Sequence, residues 1–289
     1  MHDDATTPDV TVFEVGPRDG LQSRNGIVAA ADKIALIDAL SCSGLRRIEA
    51  TSFVSPRWVP QMADATEVMA GIRRDPAVRY AALTPNLTGF ERALAAGCDE
   101  VAVFASVSEG FSRANLNCST EESFARFAPV LEAAGQPGLP VRGYLSMVIA
   151  CPFDGPIEPS RVAYWTRRLV EAGCYEISLG DTIGAGTPDT LDGLLDVLLG
   201  ETAPGRLAGH FHDTSGRAAE LVALALDRDI RTFDASVAGL GGCPYAPGAP
   251  GNVDTRRVLE VVEARGLTHG IDFGALAKAE TIAHRLTRD

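Results

Sequence analysis

The segment AGCYEISLGD (172–181) contains the end of a helix, a glycine and then a β-rich run. The same order returns in SGLRRIEA (43–50) and AGCDEVAVFA (96–105). Glycine commonly follows the last turn of a helix in the left-handed conformation, and a short β-rich run after it is typical of a strand. The repetition therefore indicates a chain built from successive strand–helix units.

Eight β-rich runs alternate with helical patterns along the chain. They cover residues 10–15, 45–50, 79–84, 100–106, 141–148, 175–181, 206–213 and 231–237. A last helical pattern, GALAKAETIAHRL (274–286), follows them. Eight units predict an α/β fold of the TIM (β/α)8 barrel type, with an extra C-terminal helix on the outside. A doubly wound open sheet is the alternative, but this sequence lacks a glycine-rich nucleotide loop after the first strand.

Length and composition are consistent with one globular domain. The chain has 289 residues, 46% hydrophobic content and a formal net charge of −12. The acidic balance argues against partners such as nucleic acid or an anionic membrane, and no apolar run is long enough to cross a bilayer. The acidic start has no signal-peptide pattern. We therefore expect a short disordered tail over residues 1–9 and a single barrel domain over residues 10–289.

The cysteines indicate a reducing compartment. Six cysteines are scattered along the chain without a C-x-x-C pair, and several stand beside small residues in apolar contexts. Such cysteines are typical of buried free thiols rather than of a disulfide framework. We therefore expect a cytoplasmic protein.

Polar side chains collect where the predicted strands end. Active sites of TIM barrels lie at the carboxyl ends of the strands, so these side chains are expected to surround one site. They are Glu14, Arg18, Asp19, Glu49, Thr84, Asn86, Ser106, Ser146, Asp181, Thr182, His210, His212, Asp213 and Asn252. A ring of acids, imidazoles and amides, where packing alone would favour Val, Ile and Leu, predicts a chemical function.

The stretch GHFHDTSG (209–216) predicts metal ligands. Side chains alternate along a strand, so His210 and His212 point to one face while Phe211 points to the other. Together with Asp19 they offer two imidazoles and a carboxylate, which suit a divalent cation with open positions for substrate. The absence of a neighbouring cysteine argues against a closed structural zinc site. Taken alone, the stretch is equally compatible with two polar residues on a half-exposed sheet face.

Six motifs follow one another on the predicted barrel. They are EVGPRDGLQ (14–22), EATSFVSPRWVPQMAD (49–64), LTPNLTGFE (83–91), YEISLGDTIGAGTP (175–188), GHFHDTSG (209–216) and GLGGCPYAPGAPGN (239–252). In this order they resemble the 3-hydroxy-3-methylglutaryl-CoA (HMG-CoA) lyases of the DRE-TIM metallolyase superfamily. The resemblance implies a metal-dependent carbon–carbon lyase that cleaves HMG-CoA to acetoacetate and acetyl-CoA, as in leucine degradation and ketone-body formation.

The resemblance also implies roles for individual residues. The implied ligands of Mg²⁺ or Mn²⁺ are Asp19, His210, His212 and Asn252. The implied catalytic residues are Arg18, Asp19, Glu49, Asp181, His210 and Cys243. The implied contacts to an acyl-CoA substrate are Arg18, Gln22, Asn115, Arg142 and Thr182. Arg18 is expected to stabilise the enolate of the departing acetyl-CoA, and Cys243 to handle a proton. We also expect a homodimer.

The segment 239–252 is expected to act as a lid over the barrel mouth. Its glycines and prolines make it poorly suited to a helix or a strand. We therefore expect an irregular loop that becomes ordered when substrate binds, with the Cys243 thiol exposed beforehand and more reactive than the other five thiols.

Four positions depart from the family pattern, namely Glu220, Leu221, Arg256 and Arg257. They leave the implied metal ligands unchanged, so they bring into question the acyl substrate and not the reaction. A lyase for a related 3-hydroxy-3-alkylglutaryl-CoA is the first alternative. A Claisen-type acyltransferase of the same superfamily is the second, although such enzymes usually carry HxHND where this chain has His-Phe-His-Asp-Thr. A non-catalytic barrel that binds a partner is the third.

Overall fold

The computed structural model describes residues 7–22, 24, 26–243 and 246–287. Within these ranges, eight parallel strands close into a barrel, and the first strand, β1, pairs with both β8 and β2. The strands β1 to β8 are Thr11–Glu14, Arg47–Ser52, Arg79–Leu83, Glu100–Ser106, Val141–Ser146, Glu176–Asp181, Leu207–Phe211 and Thr232–Ala235. The predicted TIM barrel is confirmed, with every predicted strand present and shifted by two residues at most at either end.

Helices surround the barrel. In the described part of the chain, α1 to α10 are Ala30–Ser41, Ala65–Gly71, Leu87–Ala95, Glu109–Leu116, Thr120–Gly135, Pro159–Glu171, Pro188–Leu199, Ala218–Asp227, Thr255–Ala264 and Phe273–Leu286. The last helix, α10, is the extra C-terminal helix and packs beside α1. None of the helices in the described ranges is long and apolar enough to span a membrane.

The two faces of each strand face different surroundings. On β5, Val141 and Leu145 belong to the large apolar cluster between the strands and the helices. Arg142 and Tyr144 alternate with them and point into the barrel, where Tyr144 joins Phe13 and other side chains in a smaller cluster. Because of this alternation, the large hydrophobic core lies on the outer face of the barrel wall, and polar groups occupy much of the inner face.

Two expectations about the chain ends and loops meet the structure. The expected tail falls mostly outside the described residues, and its last residue, Asp9, accepts hydrogen bonds from the backbone and the hydroxyl of Thr268 at 2.9 and 2.7 Å. The expectation of an irregular loop at 239–252 is wrong for the backbone, because Gly242–Cys243 and Ala246–Pro250 pair as short antiparallel strands. Glycine and proline are tolerated here because the ribbon has only two strands and needs few ladder bonds.

Candidate metal centre

Three ligand-type side chains converge at the carboxyl end of the barrel. His210 lies near the end of β7 and His212 directly after it, and both rings are buried. Asp19 lies on a π-helical turn, Gly16–Gly20, that follows β1. One ligand atom from each of the three residues lies within 4.8 Å of the other two. The two imidazoles therefore share a face, as the alternation along the strand predicted. The carboxylate of Asp19 comes from the turn after the first strand, nearly two hundred residues earlier in the chain.

Asn252 reaches the same group because the chain returns along the end of β7. Its backbone forms an antiparallel bridge with His212. The N–H of Asp213 donates to the Gly251 carbonyl at 2.6 Å, and the N–H of Val253 donates to the Phe211 carbonyl at 3.1 Å. The Asn252 side chain then donates from Nδ2 to Asp19 Oδ2 at 2.8 Å. All four residues that the resemblance implies as ligands are thus brought together.

Burial and charge set the protonation of these groups. Burial, together with the nearby His210, lowers the pKa of His212 to about 4, although Asp19 acts in the opposite direction. Burial alone would raise the pKa of Asp19, but Arg18 and the two imidazoles hold it below its ordinary value. Near neutral pH the group therefore presents a neutral imidazole and an ionised carboxylate, which are the forms that bind a cation.

The orientation of His210 depends on an ion pair deeper in the barrel. Its Nδ1 lies 3.0 Å from Asp234 Oδ2. Asp234 also binds the guanidinium of Arg142 through two bonds of 2.7 and 3.1 Å, and it accepts from the Ser178 hydroxyl at 2.6 Å. Burial opposes ionisation of Asp234, but Arg142 and His210 hold its pKa well below the usual range. An ionised partner fixes the proton of His210 on Nδ1 and leaves Nε2 for the cation.

Arg142 does not join the residues at the mouth, as a substrate contact would require. It is the second residue of β5 and therefore lies towards the amino end of the barrel, with no exposed surface. Its Nε donates to Glu176 at 2.7 Å while its two other nitrogens bind Asp234. All three of its nitrogens bind carboxylates inside the barrel, so it supports His210 through Asp234 instead of meeting a ligand.

Arg18 is held rigidly beside the candidate ligands. Its Nε donates to Glu49 Oε2 at 2.6 Å and its Nη1 to Asp19 Oδ1 at 2.5 Å. The guanidinium also lies over the Tyr144 ring, 5.1 Å from its centroid. Burial raises the pKa of the Glu49 carboxyl, and Arg18 counteracts that effect. Glu49 thus fixes a permanent positive charge next to the cation site, which a flexible arginine would not provide.

Asp181 and Thr182 hold the loop after β6. The Asp181 carboxylate accepts from the N–H groups of Ala185 and Gly186 at 3.0 and 2.8 Å. Burial raises its pKa despite these two bonds. Thr182 accepts from the N–H of Met147 at 3.1 Å, so it joins this loop to the end of β5. Both residues are therefore at the expected edge of the barrel, where their contacts are structural ones to backbone groups.

The remaining residues proposed for the site differ in position. Gln22 is half-buried, and its Oε1 has no hydrogen-bond partner among the described residues. Asn115 is exposed on α4. The backbone of Cys243 pairs with Ala246, but its side chain lies outside the part of the structure that is described. Gln22 is thus the one of these with an unused acceptor close in sequence to Arg18 and Asp19.

Several members of the predicted ring serve local backbone structure. Asn86 accepts from the N–H of Gly89 and caps α3. Asp213 accepts from the N–H of Ala218 at the start of α8. Thr84 donates to the Ala102 carbonyl, and Ser106 to the Ser108 carbonyl. Position at the end of a strand therefore does not by itself separate site residues from caps.

Two residues of the site were missed from the sequence. Asp234 orients His210, and Tyr144 lies between Arg18 and Arg142. Both sit inside predicted strands, at positions that alternate with apolar residues and so face the lumen. An acid in the middle of a strand of an apolar barrel was the available signal for Asp234.

The positions that depart from the family pattern lie on two helices, α8 and α9. Arg256 forms a bidentate ion pair with Glu280 of α10 at 2.7 and 2.8 Å, and Arg257 pairs with Glu260 on its own helix. Leu221 is buried on α8, and Glu220 lies beside it. Arg256 therefore docks the C-terminal helix to α9.

The donor set fits a hard or borderline divalent cation. It combines one carboxylate, two imidazoles and an amide oxygen, and the buried Nδ1 of His212 has no hydrogen-bond partner among the described residues. A buried nitrogen without a partner is costly unless something binds it.

Comparison with known proteins gives one consistent match. The family model described as HMGL-like matches residues 9–282. A hydroxymethylglutaryl-CoA lyase of Pseudomonas mevalonii is 55% identical over 93% of this chain and 89% of its own length. A 3-hydroxy-3-isohexenylglutaryl-CoA/hydroxy-methylglutaryl-CoA lyase of Pseudomonas aeruginosa is 54% identical over 93% of this chain and 90% of its own. The crystal structure of the HMG-CoA lyase from Brucella melitensis superposes with a TM-score of 0.96 at 53% identity, covering 98% and 100% of the two chains.

Proposed function

The chain belongs to the HMGL-like family, and from this premise we propose that it is a divalent-metal-dependent HMG-CoA lyase that releases acetoacetate and acetyl-CoA. The observation that carries the proposal is the convergence of Asp19, His210 and His212 within 4.8 Å, with Arg18 bonded to the same aspartate. Cleavage needs the tertiary alcohol to lose a proton and the thioester carbonyl to accept an electron pair, and this arrangement offers groups for both.

Asp19, His210, His212 and Asn252 are the residues that would hold the cation. A divalent ion bound there supplies Lewis acidity and a template for the hydroxyl and carboxylate oxygens of the substrate. Asn252 donates to Asp19 from its amide nitrogen, which leaves its amide oxygen free to turn towards a cation. Asp234 holds His210 in the tautomer that presents Nε2.

Arg18 is proposed to stabilise the enolate of the departing acetyl-CoA. Its Nε and Nη1 are fixed by Glu49 and Asp19, so its charge needs little reorganisation as the carbonyl becomes negative. Glu49 acts through Arg18, and Asp181 acts through the loop that it holds. Gln22 and Asn115 are proposed to contact the acyl-CoA, as is Thr182 at the end of β6. Arg142 is proposed to act on His210 through Asp234 and not on the substrate.

Cys243 is proposed to deliver the proton that completes acetyl-CoA. A thiol is a far stronger acid than an alcohol, so it delivers a proton to an enolate carbon more readily near neutral pH. Cys243→Ser is therefore expected to keep metal affinity and lose about a hundredfold or more in kcat. Cys42, which is exposed, is the matched control, and Cys42→Ser should retain normal turnover.

The same pair of variants tests the expected reactivity of Cys243. Cys42 is exposed, so its alkylation is expected to compete with that of Cys243. Alkylation must therefore be followed at each cysteine by mass spectrometry, with and without substrate. Loss of activity that follows Cys42 labelling, or a Cys243→Ser protein with near-normal turnover, contradicts the role proposed for Cys243.

The decisive experiment on function is a coupled assay for acetyl-CoA release from HMG-CoA. We expect release with Mg²⁺ or Mn²⁺, loss of release with EDTA and recovery when the metal is restored. A protein that binds the cation but releases no acetyl-CoA from HMG-CoA overturns the proposal. Incubation with acetyl-CoA and a 2-keto acid tests the alternative of a Claisen-type acyltransferase, which would condense the two.

A second candidate substrate is a 3-hydroxy-3-alkylglutaryl-CoA with a longer branch. The observation that favours it is the name of the 54% identical Pseudomonas aeruginosa relative, which includes 3-hydroxy-3-isohexenylglutaryl-CoA. Arg256 and Arg257 do not add to it, because they form ion pairs with Glu280 and Glu260. The ratio of kcat/KM for the two substrates decides between them.

Location and assembly stay predictions. The five cysteines whose side chains the structure describes are free, which supports a reducing compartment such as the cytoplasm. The homodimer is to be checked by light scattering of the purified protein.

A further inference from the structure

Glu14 is a buried carboxyl group that the proposed chemistry does not use. It is the last residue of β1, is fully buried, and alternates with Phe13 and Val15, which point into the barrel. Glu14 therefore points out of the lumen, into the layer between the barrel wall and α9. A carboxyl group in this otherwise apolar layer needs a reason, because its burial costs free energy unless its oxygens are bonded.

The oxygens of Glu14 are bonded to three separate segments. Oε1 accepts from the N–H of Gly16 at 2.8 Å and from the N–H of Val237 at 2.9 Å. Oε2 accepts from the hydroxyl of Thr255 at 2.6 Å. Gly16 begins the turn that carries Arg18 and Asp19. Both the turn of the first strand and the start of α9 are therefore tied to one side chain.

Val237 and Thr255 are the two ends of the segment that carries Asn252. Between them the chain forms the hairpin of Gly242–Cys243 with Ala246–Pro250 and then returns past His212. Ser236 reinforces the same junction, because its N–H donates to Val253 at 2.9 Å and its hydroxyl donates to the Leu240 carbonyl at 2.7 Å. Glu14 thus holds both ends of the segment that carries Asn252, and it also holds the beginning of the turn that carries Asp19.

The packing at this junction leaves no room for adjustment. A Cβ on Gly16 would lie 2.6 Å from Glu14 Oε1, and a Cβ on Gly20 would lie 2.8 Å from both the Leu240 carbonyl oxygen and Ser236 Oγ. The glycines allow the Asp19 turn and the start of the hairpin segment to touch. The relative position of Asp19 and Asn252 is therefore set where Glu14 binds.

The chemistry of Glu14 is that of a hydrogen-bond acceptor. Burial raises its pKa to about 7, and Asp254 acts in the same direction, while its three hydrogen bonds oppose the shift. No positively charged side chain is among the groups that shift the pKa of Glu14. An amide of the same shape can accept from both N–H groups through its oxygen and donate to the Thr255 hydroxyl, so glutamine matches its bonding.

We propose that Glu14 is a positioning residue that joins the Asp19 turn to the Asn252 segment and so sets the affinity of the cation site. This inference rests on the proposed metal-dependent lyase function. It predicts that bonding capacity at position 14, and not charge, determines how tightly the site binds Mn²⁺. It also predicts that loosening the junction increases exposure of the hairpin segment.

The test compares Glu14→Gln with Glu14→Met in the full-length protein. Mn²⁺ dissociation constants are measured by titration calorimetry, and the folded state is checked by circular dichroism and thermal unfolding. Glu14→Met is expected to weaken Mn²⁺ binding about ten- to a hundredfold, as for loss of other groups that orient ligands, while Glu14→Gln stays within about threefold of the unaltered protein. Hydrogen exchange of residues 237–255 should accelerate only in Glu14→Met.

A second pair keeps the test decisive if Glu14→Met does not fold. Thr255→Val removes the donor to Oε2 at nearly constant volume, while Thr255→Ser keeps it. We expect weaker Mn²⁺ binding for Thr255→Val and unchanged binding for Thr255→Ser. Equal affinities within both pairs overturn the inference, and an equal loss in Glu14→Gln and Glu14→Met shows that charge is what matters, which overturns it as well.

The failure of the inference is distinguishable from failure of the proposed function. If the unaltered protein binds Mn²⁺ and releases acetyl-CoA while Glu14→Met binds Mn²⁺ equally well, only the inference fails. If the unaltered protein neither binds Mn²⁺ nor releases acetyl-CoA, the proposed function fails and the role of Glu14 in it fails with it.

Discussion

The two faces of the barrel wall are built from opposite materials. On β5, Val141 and Leu145 point outwards into the apolar cluster that holds the helices. Arg142 and Tyr144, on the same strand, point inwards to Asp234, Glu176 and Arg18. One strand thus contributes to the hydrophobic core with alternate residues and to the candidate site with the others.

Burying the charged side chains of the inner face costs free energy, while burying the apolar side chains of the outer face stabilises the fold. Apolar burial contributes about 25 cal/mol per Å² of buried surface. A buried ion pair roughly cancels its own desolvation, and removing one partner leaves the other charged and unpaired. Within the described residues, Arg142, Asp234, Glu176 and Arg47 form a continuous buried network that reaches from His210 to the amino end of the barrel. The network on the inner face is therefore stable only when all of its charged partners are present.

The largest effect is expected from putting an apolar residue on the inner face. Arg142→Met leaves Asp234 and Glu176 buried without their common cation, and it should lower the free energy of unfolding by about 3–5 kcal/mol. Urea unfolding of the metal-free protein measures this. Arg73→Met, at a solvent-exposed arginine, is the control and should change the free energy of unfolding by less than about 0.5 kcal/mol. A stabilised Arg142→Met protein would show that the two faces do not differ in this way.

The next effect separates chemistry from stability on the inner face. Arg18→Gln keeps a polar side chain at the mouth but removes the charge next to the thioester, so kcat should fall about a hundred- to a thousandfold with little change in KM. Steady-state kinetics with HMG-CoA checks this, beside Arg73→Gln as a control. A change confined to KM would mean that Arg18 anchors the substrate and does not stabilise the enolate.

An apolar residue of the outer face should affect stability alone. Leu145→Ala removes a fully buried side chain from the strand that carries Arg142 and Tyr144, and it should lower the free energy of unfolding by about 3 kcal/mol. Because Leu145 points away from the lumen, the folded variant should bind Mn²⁺ within about twofold of the unaltered protein. A Mn²⁺ affinity that falls together with stability would show that the two faces are coupled through the strand.

Glu14 provides the most selective test, since it is a carboxyl group in the outer layer. Its pKa in the folded protein is about 7 against an ordinary value of 4.5, so folding favours the protonated form. The stability that follows is complete below about pH 4.5 and is lost as the pH rises through 7. At about 1.4 kcal/mol per pKa unit, the loss is on the order of 3 kcal/mol.

Glu14→Gln cannot titrate and isolates this loss. The difference in unfolding free energy between the unaltered protein and Glu14→Gln, measured in EDTA from pH 4.5 to 8, should move in favour of the variant as pH rises. Glu100, whose pKa burial also raises to about 7, is present in both proteins and cancels in the difference. A difference that does not depend on pH would mean that the pKa of Glu14 is the same in the folded and the unfolded protein.

The sequence predicted what depends on local order. The repeated helix–glycine–strand pattern determined the barrel, and alternation along one strand placed His210 and His212 on the same face. How far a residue lies from the carboxyl end of its strand was harder to predict from the sequence. Arg142 is the second residue of β5, so it lies far from the mouth, while the carboxyl-end position belongs to Ser146.

Contacts between distant segments could not be predicted. Asp234 orients His210 across two neighbouring strands, and Glu14 binds Val237 and Thr255, more than two hundred residues away in the chain. The hairpin at 242–250 pairs glycine and proline residues that local propensity excludes from strands. In each case the tertiary partner overrides the local preference, and only the folded chain identifies that partner.

Closure of β1 against β8 has a consequence for biosynthesis. Asp19 and Asn252 are 233 residues apart in the chain, and they meet only when the two strands pair. A nascent chain therefore lacks the assembled set of candidate ligands until both strands have been translated, and long-range pairing of this kind is slow. We therefore expect the complete set to form late in folding, when the barrel closes.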